Sequence, residues 1–69
     1  MHLTVNGTER QFKNETTVSD LLRSIQIDPA SARGIAVALN DRIVRKADWE
    51  SKVLSDGDRV EVVTAQQGG

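Results

Sequence analysis

TVSDLLRSIQ, residues 17–26, carries the clearest helical signal in the chain. Val18, Leu21, Leu22 and Ile25 fall at i, i+3, i+4 and i+7, one apolar stripe on a 3.6-residue period. Thr17 is a good N-cap, because its hydroxyl can accept a hydrogen bond from a free amide of the first turn. Asp20 places negative charge near the positive end of the helix dipole. Pro29 forces the residue before it out of helical geometry, so the helix is expected to end near Gln26, with a polar loop over residues 28–34.

Strand signals flank this helix on both sides. Residues 2–5 alternate polar and apolar, the period of a half-buried strand. Asn6-Gly7 follows, a strong hairpin signal because both residues tolerate positive φ. Thr8 to Phe12 reads as the returning strand, anchored mainly by Phe12. Beyond the helix, Ile35 to Leu39 is a mostly apolar run bounded by Gly34 and Asn40-Asp41. It reads as an interior strand covered on both faces, or nearly so. Ile43-Val44 is a short strand after that turn. Residues 47–51 suit one helical turn, with Trp49 tucked against the domain edge. Ser55-Asp56-Gly57-Asp58 is a turn with Gly where positive φ is expected, and residues 59–63 alternate as the last strand. A hairpin, a helix, a strand, a short strand and a final strand make an α+β chain. The order is that of the β-grasp, or ubiquitin-like, roll: a mixed sheet under one covering helix, with its first and last strands near the centre. Residues 1–64 form that domain. Residues 65–69 are expected to be a flexible C-terminal arm ending in Gly-Gly.

Composition narrows the function. A chain of 69 residues has a thin core and little room for an enclosed pocket. Its net charge of −1 and its two aromatic residues, Phe12 and Trp49, argue against a nucleic-acid-binding module. With no cysteine, disulfides, thiolate metal sites and cysteine nucleophiles are excluded. No apolar run is long enough to span a membrane and the N-terminus does not read as a signal peptide, so the expected compartment is the cytoplasm. His2 is the only histidine and has no second imidazole with which to bind metal. Ser19, Ser24, Ser31, Ser51 and Ser55 lack a nucleophile-elbow pattern and an assignable base. Asp56-Gly57-Asp58 lacks the further oxygen ligands of a calcium loop. The body is therefore not expected to be an active site, and attention moves to Gly68-Gly69. Without a Cβ, a Gly-Gly end can lie extended in a channel too narrow for other residues, with its carboxylate exposed for reaction.

Several stretches carry a family resemblance. They are Thr17-Val18 with Leu21-Leu22, Val37-Ala38-Leu39-Asn40, Ile43-Val44 followed by Trp49, Leu54 with Asp56-Gly57-Asp58 and Val60-Glu61, and terminal Gly68-Gly69. In that order and spacing the chain resembles the ThiS family, the sulfur carriers of thiamin thiazole biosynthesis, over essentially its whole length. It departs at Arg45, where related sequences often carry Pro, and at Ala65-Gln66-Gln67, where small and apolar residues are common. The resemblance implies a covalent carrier, not an enzyme, that is itself the substrate of partner enzymes. An E1-like adenylating enzyme would use ATP and magnesium to turn the Gly69 carboxylate into an acyl-adenylate, with Gly68 giving access. A persulfide donor would convert it to a thiocarboxylate, which would supply sulfur to a thiazole synthase. The chain itself would bind no cofactor or metal. Alternatives are the small subunit of molybdopterin synthase, a sulfur carrier of another pathway, and a non-covalent β-grasp interaction domain. A domain that visits two partners needs an exposed, partly apolar face. It is expected on the sheet side opposite the helix, at Ala36, Ala38 and Val63, with Arg59 and Glu61 setting orientation.

Overall fold

The computed structural model describes residues 1–64. In chain order these form β1 (His2–Val5), β2 (Thr8–Gln11), α1 (Val18–Ser24), β3 (Ile35–Leu39), β4 (Arg42–Val44), a 3-10 turn (Lys46–Asp48) and β5 (Arg59–Thr64). The sheet order is β2-β1-β5-β3-β4. β1 and β5 run parallel at its centre, and the other neighbours are antiparallel. This is the β-grasp arrangement expected from the element order.

α1 is fastened at both ends. Thr17 and Asp20 form a capping box: the Thr17 hydroxyl accepts from the Asp20 amide at 3.1 Å, and the Asp20 carboxylate accepts from the Thr17 amide at 3.1 Å. Hydrogen bonding of the ionised carboxylate by Thr17, its backbone amide first and then its side chain, holds the Asp20 pKa below its ordinary value. The helix stops at Ser24, short of the expected Gln26. Gln26 takes a φ of +68°, and its amide donates to Arg23 O at 3.0 Å while that of Ile27 donates to Leu22 O at 2.9 Å. This Schellman closure ends the helix three residues before Pro29 can act.

The stripe packs as expected. Val18, Leu21 and Leu22 are fully buried, Ile25 is partly so, and beneath them lie Val5, Val37, Val60 and Val62. Leu3, Leu39, Trp49 and Leu54 complete the core. Trp49 corrects an expectation: it is only 3% exposed and sits within the core, not at its edge. The segment after the 3-10 turn brings it there. That segment is laced to the start of α1, since Val18 N donates to Lys52 O and Ser19 N to Trp49 O, both at 3.0 Å, and Leu54 N donates to Thr16 O at 2.8 Å. The indole Nε1 donates to Val44 O at 2.9 Å, so burial leaves no polar atom unpaired. Two further corrections concern strands. β3 is covered on one face, with Val37 and Leu39 inward, Ala36 exposed and Ala38 half-buried. Phe12 lies just past β2, whose four residues are all exposed.

Candidate functional site

Parity along β5 builds the open face. Val60 and Val62 point into the core, so Arg59, Glu61 and Val63 point away from it. Register then fixes their neighbours. Val63 lies opposite Ala36 and Glu61 opposite Ala38. Thr4 lies opposite Arg59, and Ile43 of β4 lies opposite Ala38. The five residues read as a docking face are thus together on the side of the sheet away from α1.

Two alanines give this face a low floor. Val63, 58% exposed, and Ile43, 69% exposed, stand on either side of it. With the alanines of β3 between them they form one apolar strip across three strands, and a continuous exposed patch is a stronger sign of a contact surface than scattered residues. Ile43 was not among the residues expected there. The signal was available: the two-residue Asn40-Asp41 turn sets Leu39 opposite Arg42, so Ile43 faces Ala38. At the rim, Arg59 Nη2 meets Asp41 Oδ2 at 2.7 Å, with both side chains largely in water. A pair this exposed contributes about 0–1 kcal/mol, so Arg59 can exchange Asp41 for a partner's carboxylate at little cost.

Gly68 and Gly69 lie outside the described residues, as does the arm expected over 65–69. The structure does place the last described residue, Thr64, at the end of β5. The strand that carries Arg59, Glu61 and Val63 is therefore the one leading to the glycines.

Several other polar side chains are engaged within the protein itself. Asp56 Oδ1 accepts from His2 N at 2.6 Å. The Asp58 carboxylate accepts from Ser55 N at 2.7 Å and Asn40 Nδ2 at 2.9 Å. The carboxylates of the Asp-Gly-Asp turn thus hold the turn itself, around Gly57 at φ +87°. Ser24 donates to Leu21 O, Ser31 to Asp28 and Ser51 to Asp48 O. Bonds from the Ala30 amide and the Ser31 hydroxyl hold the Asp28 pKa below the ordinary value. Among the described residues, no three His, Cys, Asp or Glu side chains cluster as metal ligands, and no helix is long and apolar enough to cross a membrane.

Comparison with known proteins follows the same lines. A family model described as the ThiS family matches residues 3–69. A thiazole synthase from Paramagnetospirillum magneticum is 38% identical over 69 residues, which is all of this chain but 20% of that protein. The chain thus spans about a fifth of that relative's length. The uncharacterized protein ycf40 from Trieres chinensis is 29% identical over 65 residues, covering 94% of this chain and 85% of its own. A crystal structure of a thiamine biosynthesis protein (ThiS) from Geobacter metallireducens superposes with a TM-score of 0.78 at 30% identity, covering both chains completely. A solution structure of a thiamine biosynthesis protein from that organism gives a TM-score of 0.76 at 30% identity, covering 100% of this chain and 88% of the other.

Proposed function

We propose that this chain, which belongs to the ThiS family, is a sulfur carrier for thiamin synthesis whose chemistry passes through its terminal carboxylate. The observation that carries the proposal is that the family match extends through Gly69, in the stretch of chain that follows the strand building the open face. The body offers docking surface and no reactive group of its own. That is the division of labour a carrier needs.

The chemistry follows from the carboxylate's weakness as an electrophile. A partner of the E1-like class, using ATP and magnesium, lets a Gly69 oxygen attack the α-phosphorus, releasing pyrophosphate and leaving an acyl-adenylate. The terminal sulfur of a persulfide then attacks the carbonyl carbon and expels AMP. A thiol splits the resulting acyl disulfide, leaving a C-terminal thiocarboxylate. That sulfur is soft and ionised at neutral pH, and it is delivered to a thiazole synthase. A relative named thiazole synthase, in which a stretch like this chain makes up a fifth of the length, supports that destination. The carrier acts in the cytoplasm as the substrate of its partners. It is not itself an enzyme and holds no cofactor.

Docking uses Ala36, Ala38, Val63 and Ile43, with Arg59 and Glu61 orienting the approach. Gly68 keeps the chain thin enough to enter the partner's site. The test is intact mass spectrometry after co-expression with the cognate adenylating enzyme, together with ATP–pyrophosphate exchange. The expected product has one terminal oxygen exchanged for sulfur. Gly68→Ala should slow adenylation without affecting folding. Removing Gly69 shortens the reach by about 3.3–3.6 Å and should abolish transfer, since a misplacement of about 1 Å can cost on the order of a hundredfold in rate. If the chain lacking Gly69 is adenylated and sulfurated at the normal rate, the carrier reading is wrong. A chain lacking both glycines that keeps its biological function would instead identify a non-covalent interaction domain.

A further inference from the structure

The parallel ladder between β1 and β5 runs one residue further than β1 does. Thr4 N donates to Asp58 O at 3.0 Å and Asn6 N donates to Val60 O at 2.9 Å. The next position on β5 is Val62. The chain has by then left the sheet through the Asn6-Gly7 turn, with φ of +49° and +82°. The Asn6 side chain supplies the missing rung: its Oδ1 accepts from Val62 N at 2.7 Å and its Nδ2 donates to Val62 O at 3.2 Å. A primary amide presents the same acceptor and donor as a peptide group, so it stands in for one more residue of β1. On the other side of β5, pairing with β3 continues to Thr64, opposite Ile35. Without the Asn6 amide, the last three residues of β5 would be held from that side alone.

We propose that Asn6 is a positioning residue for adenylation and sulfur transfer. The inference rests on the carrier reading above. Val62 is the last β5 residue bonded on the β1 side, through the Asn6 amide, and it lies seven positions before Gly69. The partner must hold the body by its open face while the carboxylate reaches the nucleotide. The Asn6 clasp steadies the last residues of β5, the strand that precedes the glycines in the chain. Loosening that clamp enlarges the volume the carboxylate must search and lowers the fraction of encounters in reacting geometry.

The molecule contains its own control. Asn40 opens the β3–β4 turn at a φ of +50°, nearly that of Asn6. Its side chain also clasps the start of β5: Oδ1 accepts from Arg59 N at 2.9 Å, and Nδ2 donates to the carboxylate of Asp58, just before the strand, at 2.9 Å. These lie at the end of the strand remote from Gly69. Asn6→Gly and Asn40→Gly therefore remove matched clasps while leaving both turns free to form. The assay is ATP–pyrophosphate exchange of each full chain with the cognate adenylating enzyme. Both variants should lose similar thermal stability. Only Asn6→Gly should lose kcat, by about tenfold or more, with KM nearly unchanged. Asn6→Asp keeps the turn and the acceptor for Val62 N but loses the donor, so its kcat should fall between glycine and wild type. If Asn6→Gly does not fold, Asn6→Asp carries the comparison with Asn40→Asp. Equal kcat in the Asn6 and Asn40 variants, whether both intact or both reduced, overturns the positioning role. A wild-type chain that the enzyme does not adenylate overturns the carrier reading itself, and this proposal with it.

Discussion

The two faces of the sheet are built from the same strands and have opposite demands. β5 sends Val60 and Val62 to the covered face and Arg59, Glu61 and Val63 to the open one. β3 sends Val37 and Leu39 one way and Ala36 and Ala38 the other. On the covered side, branched side chains meet the α1 stripe and are removed from water. On the open side the same strand spacing presents two methyl groups, flanked by exposed Val63 and Ile43 and bordered by charge. The covered face determines whether the chain folds, and the open face is the one we propose for docking. Substitutions should separate these roles, because successive residues of a strand point to opposite faces.

The largest expected effect lies on the covered face. Leu22 is fully buried between α1 and the sheet. Leu22→Ala should cost about 2–5 kcal/mol, from lost transfer energy and an unfilled cavity, a large share of a small domain's stability. Chemical denaturation measures it. An unchanged midpoint would mean that the stripe does not hold the helix to the sheet.

Ile43→Asp tests the opposite face. The side chain is mostly in water already, so stability should move by about 0.5 kcal/mol or less. Affinity for the adenylating partner should fall about tenfold or more, the loss of roughly 1.4 kcal/mol expected for an apolar anchor. Calorimetric titration decides the matter. Affinity equal to that of the wild type would remove Ile43 from the docking surface and break the division between faces.

How far these faces could be read from the sequence depends on which interactions set them. The α1 stripe, the Asn6-Gly7 hairpin and the β5 alternation are local periodicities, and each appears where expected. β3 misled because alanine is counted as apolar: Ile35-Ala36-Val37-Ala38-Leu39 reads as one continuous run, although only its bulky members point inward. Trp49 was misplaced because its burial depends on how residues 49–54 return to the start of α1, which involves contacts thirty or more positions apart. Ile43 needed a register count across a turn. The second function of Asn6 needed a partner 56 positions away. Gly68 and Gly69 were singled out by residue type, by their place in the chain and by the family resemblance, and lie outside the described residues.

A smaller effect is expected at the rim. Arg59→Glu breaks the exposed pair with Asp41, at little cost in stability. Reversing a rim charge acts mainly on encounter, so the association rate with the partner should fall and lose part of its salt dependence. Stopped-flow binding at two ionic strengths reads this directly. A rate indifferent to both the substitution and the salt would leave orientation to the apolar residues alone.

The smallest effect should have the opposite sign, and it falls on the covered side. Ser19 is 1% exposed, and among the described residues its Oγ is the buried side-chain atom without a hydrogen-bond partner. Its own amide is satisfied by Trp49 O, so the backbone needs nothing from the hydroxyl. A buried, unpaired hydroxyl has given up its bonds to water without replacement. Ser19→Ala removes the unpaired polar atom and leaves only a small void. The expected gain is about 0.5–1 kcal/mol, measurable by denaturation, with partner affinity unchanged because the open face is untouched. A loss of stability would mean that the hydroxyl is bonded in solution. A loss of affinity at constant stability would mean that the two faces are coupled through α1.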